Sequence, residues 1–508
     1  MSDSAVGIDQ TLDKSGIEEE DESEDKDGEA QSPLQYPETE PIPFQFSWRK
    51  LWAFSGPGLL MSIAYLDPGN IAGDLGAGNV AGYRLLWILL SSTALGLFFQ
   101  ILAARLGVVT QRNLARLCRE QYPKHVRIIL WLMTEIAIIG SDIQEVIGSS
   151  IAFNILFGLP IWAGAIITIL DSIIFLFIHY FGVRKLEGFF ALLIGTMAVC
   201  FFVNLFIVKP DIGPLLFGTF VPTIPEGSGS QAIGLIGAVI MPHNLYLHSS
   251  LVLSRKVNNK NQKQVHEANI YNAVESGISL FVSFMINFAV VATFAFYHNK
   301  GFDDLNLRNA DQALYSSFGD AARIIWGVGL LAAGQSSTMT GTYCGQFVME
   351  GFFDIKLPVW KRVLVTRSIA IMPALAVAFM QDFDDVDNYL NILQSVQLPF
   401  ALVPLLKFTS SDLIMGRFKN SKCVMIFAIL TAFCLFVINA IGLVPIGVPG
   451  WVYAPFSIVF ALYIGLIIIV LRAPLSPIME HKDSEIDEGF DKVIIADFDT
   501  STKATNKN

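Results

Sequence analysis

Twelve apolar runs, each about the length needed to cross ~30 Å of hydrocarbon, leave this chain of 508 residues little choice but a helical bundle in a bilayer. They fall near residues 54–80, 85–104, 128–157, 160–181, 187–208, 231–253, 272–296, 319–349, 363–380, 389–407, 422–445 and 450–472. Composition agrees, with 53% hydrophobic and 16% charged residues and a mean hydropathy of +0.52, far more apolar than a soluble domain. With no water to satisfy the backbone in hydrocarbon, only helices or closed barrels can span it. Runs of this length read as helices.

The net charge of −11 is misleading as a guide to partners. Residues 1–47 hold 14 acidic side chains and two lysines, a net −12, so residues 48–508 sum to +1. Three segments follow: an acidic, disordered cytoplasmic tail over 1–47, a transmembrane domain over 48–474, and a second acidic cytoplasmic tail over 475–508. Nothing favours nucleic acid or an obligatory protein partner. Five cysteines, Cys118, Cys200, Cys344, Cys423 and Cys434, show no CxxC spacing and suggest neither a disulfide framework nor a thiolate metal site. Lysine and arginine gather in alternate loops, as with Arg105, Arg112, Arg116, Arg119, Lys124 and Arg127 after the second run and Arg255, Lys256, Lys260 and Lys263 after the sixth. That bias puts both termini in the cytoplasm.

Two runs are interrupted in the same way, by Asp67-Pro68-Gly69-Asn70 in the first and Met241-Pro242-His243-Asn244 in the sixth. Proline removes a helical hydrogen bond and clashes with the preceding turn, and unwound backbone at membrane depth is tolerated only beside a cavity. Spans 1–5 and 6–10 would each begin with a broken helix, and five being odd, the second group enters the membrane inverted. This is the logic of secondary transporters that bind cargo at the midplane.

The run from Gly56-Pro57-Gly58 to Asn70, the segment Ile240 through His248-Ser249, and Gly334-Gln335-Ser336-Ser337-Thr338-Met339-Thr340-Gly341-Thr342-Tyr343 closely resemble the Nramp family, most of all its eukaryotic branch. The resemblance runs from about Phe46 to Leu406. It implies a leucine-transporter-type fold with two inverted five-helix repeats, uptake of Mn²⁺ and Fe²⁺, with Co²⁺ a further substrate, and proton co-transport without a resident cofactor. The expected address is an endosomal, phagosomal or vacuolar membrane, with the plasma membrane as the alternative. No enzymatic activity is implied.

The residues make chemical sense of this beside the resemblance. Asp67 offers an anionic oxygen, Asn70 a neutral one, Met241 a thioether sulfur and the unwound turn near Ala238 a free carbonyl. Sulfur in the set favours Mn²⁺, Fe²⁺ and Co²⁺ over Mg²⁺ and Ca²⁺. Most membrane methionines merely fill space, but this one stands beside the proline of a paired break. Asn391 is the best candidate for an additional ligand, while Gln394 and Asn287 read as interhelical glue.

Proton movement needs groups that titrate within the membrane. Glu135, Asp142 and Glu145 fall within about 80° on one helix, and Arg367 is the cation they would pair with, as the family pattern also implies; a purely structural ion pair is the plainer alternative. His243 and His248 match family positions linked to proton movement, although five-residue spacing sets them roughly 140° apart and excludes a two-histidine zinc pair. A lone membrane histidine more often just bonds the backbone. Asp171, Glu187 and Glu275 read as packing or gating groups. A sodium-coupled amino-acid symporter of the same fold and a membrane metal sensor are the competing functions, but a thioether facing an aspartate serves neither an amino acid nor Na⁺, and the tails offer no output domain.

Overall fold

A computed structural model describes residues 42, 44–168, 183–255, 257–298, 300, 305–354, 359–379, 386–443 and 453–477. Both acidic tails thus lie outside the described residues, apart from the few that adjoin the bundle, and so do Asp171 and the side chain of Glu187.

The described residues form helices α1 (Trp48–Phe54), α2 (Pro57–Ile63), α3 (Pro68–Ala81), α4 (Leu86–Thr110), α5 (Leu114–Gln121), α6 (Lys124–Phe157) and α7 (Ile161–Thr168). They continue with α8 (Val183–Val208), α9 (Ile212–Phe220), α10 (Gly229–Val239), α11 (Pro242–Leu251), α12 (Gln262–Phe294) and α13 (Ala310–Phe318). The last six are α14 (Asp320–Phe353), α15 (Val359–Phe379), α16 (Val386–Thr409), α17 (Asp412–Met415), α18 (Lys422–Leu443) and α19 (Tyr453–Arg472). Among the described residues, five helices, beginning at Leu86, Gly188, Gln262, Val386 and Lys422, are individually long and apolar enough to cross a membrane. The first and sixth runs are each cut in two, into α2 with α3 and α10 with α11. Among the described residues the architecture is all-α, of the leucine-transporter type that the family resemblance implies.

Spans 1 and 6 divide where the prolines fall. Pro68 opens α3 and Pro242 opens α11, each at the first helical position, where a missing N–H costs nothing. Proline alone does not dictate this, since Pro373 lies within α15 and Pro399 and Pro404 lie within α16, all in unbroken helices. At the first break a neighbouring helix supplies a partner for the freed backbone, Asn244 for the Ala64 carbonyl.

The centre of the bundle is closely packed through small residues. A Cβ at Gly148 of α6 would meet Pro68, one at Gly334 of α14 would meet Ser149, and one at Gly237 of α10 would meet the backbone of Asn391. The Ser/Thr/Gly run Gly334–Tyr343 therefore includes residues that bring helices into close contact. On the periphery, α18 exposes Ile426, Phe427, Ile429, Leu430 and Phe433, a surface suited to lipid, and Trp48 and Trp52 of α1 are 75% and 78% exposed, the amphipathic placement of interfacial tryptophan.

Candidate metal site

The proline at each break strips one carbonyl of its helical donor, and sequence fixes which. The oxygen four residues before a proline loses its N–H partner; for Pro68 that is Ala64 and for Pro242 it is Ala238. The Ala64 oxygen accepts instead from the side-chain amide of Asn244, at 3.3 Å. Asp67 caps α3: its Oδ1 accepts from the Asn70 backbone at 2.7 Å and from Asn70 Nδ2 at 2.9 Å. The other end of that amide, Asn70 Oδ1, is buried without a hydrogen-bond partner. A buried carboxylate beside an unused amide oxygen is a donor pair of the kind that suits a cation.

Asp67 opens on a small cavity of about 10 Å³, whose other walls are Ala64, Ser141 and Glu145 of α6, His243 and Asn244 of α11, and Ser337, Thr340 and Gly341 of α14. That volume suits one water or ion. Of the five residues read as metal ligands, only Asp67 lines it. Met241 caps α11 and is 2% exposed, but neither it nor Asn70 nor Ala238 borders the open volume. Asn391 is committed elsewhere: its Nδ2 donates to the Gly69 carbonyl at 3.1 Å, and its Oδ1 accepts from Gln144 Nε2 at 2.9 Å. Gln144 also donates to the Asp387 carbonyl at 3.1 Å and accepts from Gln394 at 2.9 Å. These amides lace α6, α16 and the break in span 1 together on one side of the cavity.

The proton candidates separate as well. Asp142 and Glu145 converge on Gly341, where a Cβ would lie 3.0 Å from Asp142 Oδ1 and 3.2 Å from Glu145 Oε1. Glu135 is half-buried, its Oε1 accepting from the Trp131 indole at 3.0 Å. Arg367 lies on α15, with its side chain outside the described residues. His243 borders the cavity, whereas His248 is buried one turn further along α11 with Nε2 3.4 Å from Ser276 Oγ. A second and larger void, about 400 Å³ between α4, α10 and α18, has apolar walls and shares no residue with this one.

Reading the sequence alone passed over Ser141, Gln144, Ser337 and Thr340, which are ordinary membrane-helix polar residues by type. It also passed over Asp74, fully buried two turns along α3 from Asp67 with both carboxylate oxygens unpartnered. Its signal was available: an acidic residue seven positions from Asp67 returns to the same helix face.

Comparison with known proteins agrees with this geometry. The family described as Natural resistance-associated macrophage protein-like (Nramp) matches residues 58–445. The metal transporter nramp1 homolog of Dictyostelium discoideum is 54% identical over 383 residues, 74% of this chain and 71% of that protein. The natural resistance-associated macrophage protein 2 of Mus musculus is 52% identical, covering 77% of this chain and 76% of its own length. Among solved structures, the Eremococcus coleocola manganese transporter in complex with an aromatic bis-isothiourea compound superposes with a TM-score of 0.74 at 31% identity, covering 87% of this chain and 96% of that one. The nucleobase-cation-symport-1 transporter MHP1, at 14% identity and a TM-score of 0.54, shares the fold alone. A chain with these broken helices, this buried aspartate and these relatives belongs to the Nramp family of membrane metal transporters.

Proposed function

We propose that this protein carries Mn²⁺ and Fe²⁺ across its membrane into the cytosol, coupled to protons, by alternating access. The observation that carries the reading is the shared cavity, which puts Asp67, at the break in span 1, in one small volume with Glu145 and His243. The cargo ion would be held by Asp67, the unused oxygen of Asn70, the Ala238 carbonyl and the sulfur of Met241. Asn391 would join them only by exchanging Gln144 for the metal.

Electrostatics supplies the coupling. A buried carboxylate must be neutralised by a proton or a cation, and Asp67 faces Glu145 across a space that admits little else. Arrival of a divalent ion at Asp67 favours proton departure to Glu145 or His243, and from there toward Asp142 and the Arg367 region. Spans 1, 5, 6 and 10 rocking against 3, 4, 8 and 9 would then expose the ion to the cytosol, the side on which the bias of basic residues in the loops supports both termini. Several features support a metal ion over an amino acid as cargo: the size of the cavity, the sulfur at position 241, and the manganese transporter among the structural relatives. An endosomal, phagosomal or vacuolar membrane, acidic on the far side, supplies the matching gradient.

Uptake into proteoliposomes tests the whole reading. Mn²⁺ should enter faster when the outer solution is acidic and should acidify the lumen as it enters. Mn²⁺ uptake with no accompanying proton movement refutes the coupling, and unchanged uptake in Asp67→Ala refutes the site.

A further inference from the structure

We infer that Glu275 is a positioning residue of the transport cycle: it latches the N-terminus of α2 onto α12, and its release opens the cavity toward the chain-termini side of the bundle. The inference rests on the alternating-access reading above, and concerns which contact yields first.

α2 is a helix of seven residues whose two ends are both held by α12. At its N-terminus a single oxygen, Glu275 Oε1, accepts from the backbone N–H groups of Gly56 at 2.5 Å, Gly58 at 3.0 Å and Leu59 at 3.4 Å. At its other end Ser283 Oγ donates to the Ser62 carbonyl at 2.8 Å, and Asn287 Nδ2 donates to the Tyr65 carbonyl at 2.8 Å. An acceptor thus meets the end of the helix that has orphan donors, and donors meet the end that has orphan acceptors. Glu275, Ser283 and Asn287 stand eight and four residues apart, so they share one face of α12.

The same face continues toward the chain terminus. Tyr271 Oη accepts from the Ser47 backbone at 2.8 Å, its ring stacks on Phe54 at 5.6 Å between centroids, and Glu267 pairs with Lys50 at 2.6 Å. Everything from residue 47 to residue 65 is thereby tracked along one helix.

Two ends of α2 differ in what they can do. Next to the break, Ser283 and Asn287 are neutral, buried and adjacent to the site, which suits a hinge. The Glu275 end is charged and has an alternative partner: Arg255 is within electrostatic reach of Glu275 while donating to the Ser55 carbonyl at 2.5 Å. If α2 swings out, the carboxylate loses its backbone donors but keeps a cation nearby, so the open state is accessible and the closed state favoured. Glycine makes the closed fit tight. Gly56 adopts a φ of +140°, and a Cβ at Gly58 would stand 3.0 Å from Glu275 Cδ and 3.1 Å from the Ser276 backbone.

The test places a cysteine at Met61, which is fully buried on α2, in a full-length Cys423→Ser, Cys434→Ser background, and measures its labelling by a membrane-impermeant maleimide from the side of the chain termini. Met61→Cys is combined with Glu275→Gln and with Glu275→Ala, and Mn²⁺ affinity is measured on the same proteins by calorimetry. Loss of the charged acceptor should raise the labelling rate about 10-fold in Glu275→Ala and by less in Glu275→Gln, which keeps the shape and an oxygen. Mn²⁺ affinity should stay within about two-fold, uptake should fall through kcat, and Glu275→Asp should recover part of it. Unchanged labelling in the folded glutamine variant overturns the latch, as does Mn²⁺ affinity that falls in step with uptake. Failure of the parent protein to take up Mn²⁺ would instead refute the proposed function, while the labelling comparison would still report on the latch.

Discussion

Asn244 of the second break donates its side-chain amide to the carbonyl of Ala64 in the first, at 3.3 Å. Ala64 stands four residues before Pro68, so the bond replaces the one that proline removed. The two interruptions are therefore complementary, one supplying the donor that the other lacks. On sequence grounds Asn244 had only its symmetry with Asn70 to recommend it, and the structure gives it this different task.

Asn244→Leu leaves the Ala64 oxygen buried and unbonded, which should cost about 1–3 kcal/mol. Thermal unfolding of the detergent-solubilised protein measures this. Stability equal to that of the parent would show that the break in span 1 holds without its partner.

Asp67→Asn removes the only charge proposed as a direct ligand and should weaken Mn²⁺ binding by about 100-fold or more, the scale for an uncompensated divalent charge in a dry site. Met241→Ala acts on choice rather than on strength. It should narrow the preference for Mn²⁺ over Ca²⁺ by about 10-fold, because sulfur is the soft member of the set. Competition of Ca²⁺ against Mn²⁺ uptake is the measurement, and an unaltered ratio would return Met241 to the role of filler.

Gln144→Leu and Asn391→Ala separate the two roles open to Asn391. If Asn391 reaches the metal during the cycle, Asn391→Ala should weaken Mn²⁺ binding about 10-fold, while Gln144→Leu, which only frees it from the amide lacing, should keep affinity within about two-fold. Equal effects in calorimetry would assign Asn391 to fastening α16 onto span 1.

Glu145→Gln should leave Mn²⁺ binding largely intact and flatten the dependence of uptake on external pH, since it removes the titrating neighbour of Asp67 without removing the cavity wall. Gly341→Ala should do the same in milder form by crowding Asp142 and Glu145. Uptake profiles between about pH 5 and pH 8, the range over which proton supply varies most for such sites, give the answer. A profile as steep as the parent's would move the proton path away from Glu145.

The helices were legible because hydrocarbon enforces them: runs of apolar residues could be placed to within a few residues, as Asp320–Phe353 shows against an expected 319–349. The breaks were legible from proline paired with polar neighbours, although Pro373, Pro399 and Pro404 demonstrate that proline by itself decides nothing. Side-chain destinations were less so. Helical periodicity put Glu135 on a face with Asp142 and Glu145, but the bond it accepts from Trp131, one turn away, could not be read from that pattern. Asn391 was recognisable as an inward amide, but whether it would meet a metal or another amide depends on Gln144, which lies on a helix nearly 250 residues away in sequence. Asp74 was less legible because it lies inside the continuous helix α3, where no proline or unwound turn marks it.

The carbonyl proposed as the fourth metal ligand belongs to Ala238, but its availability is set at position 242. Replacing the alanine side chain leaves that oxygen in place, and a scan of side chains would judge residue 238 to be silent. A change of Pro242 to any residue with an N–H restores a competitor for the oxygen, with no ligand having been mutated. For anyone interpreting inherited or selected variants of this chain, the genetic address of that ligand lies four codons downstream of the atom itself.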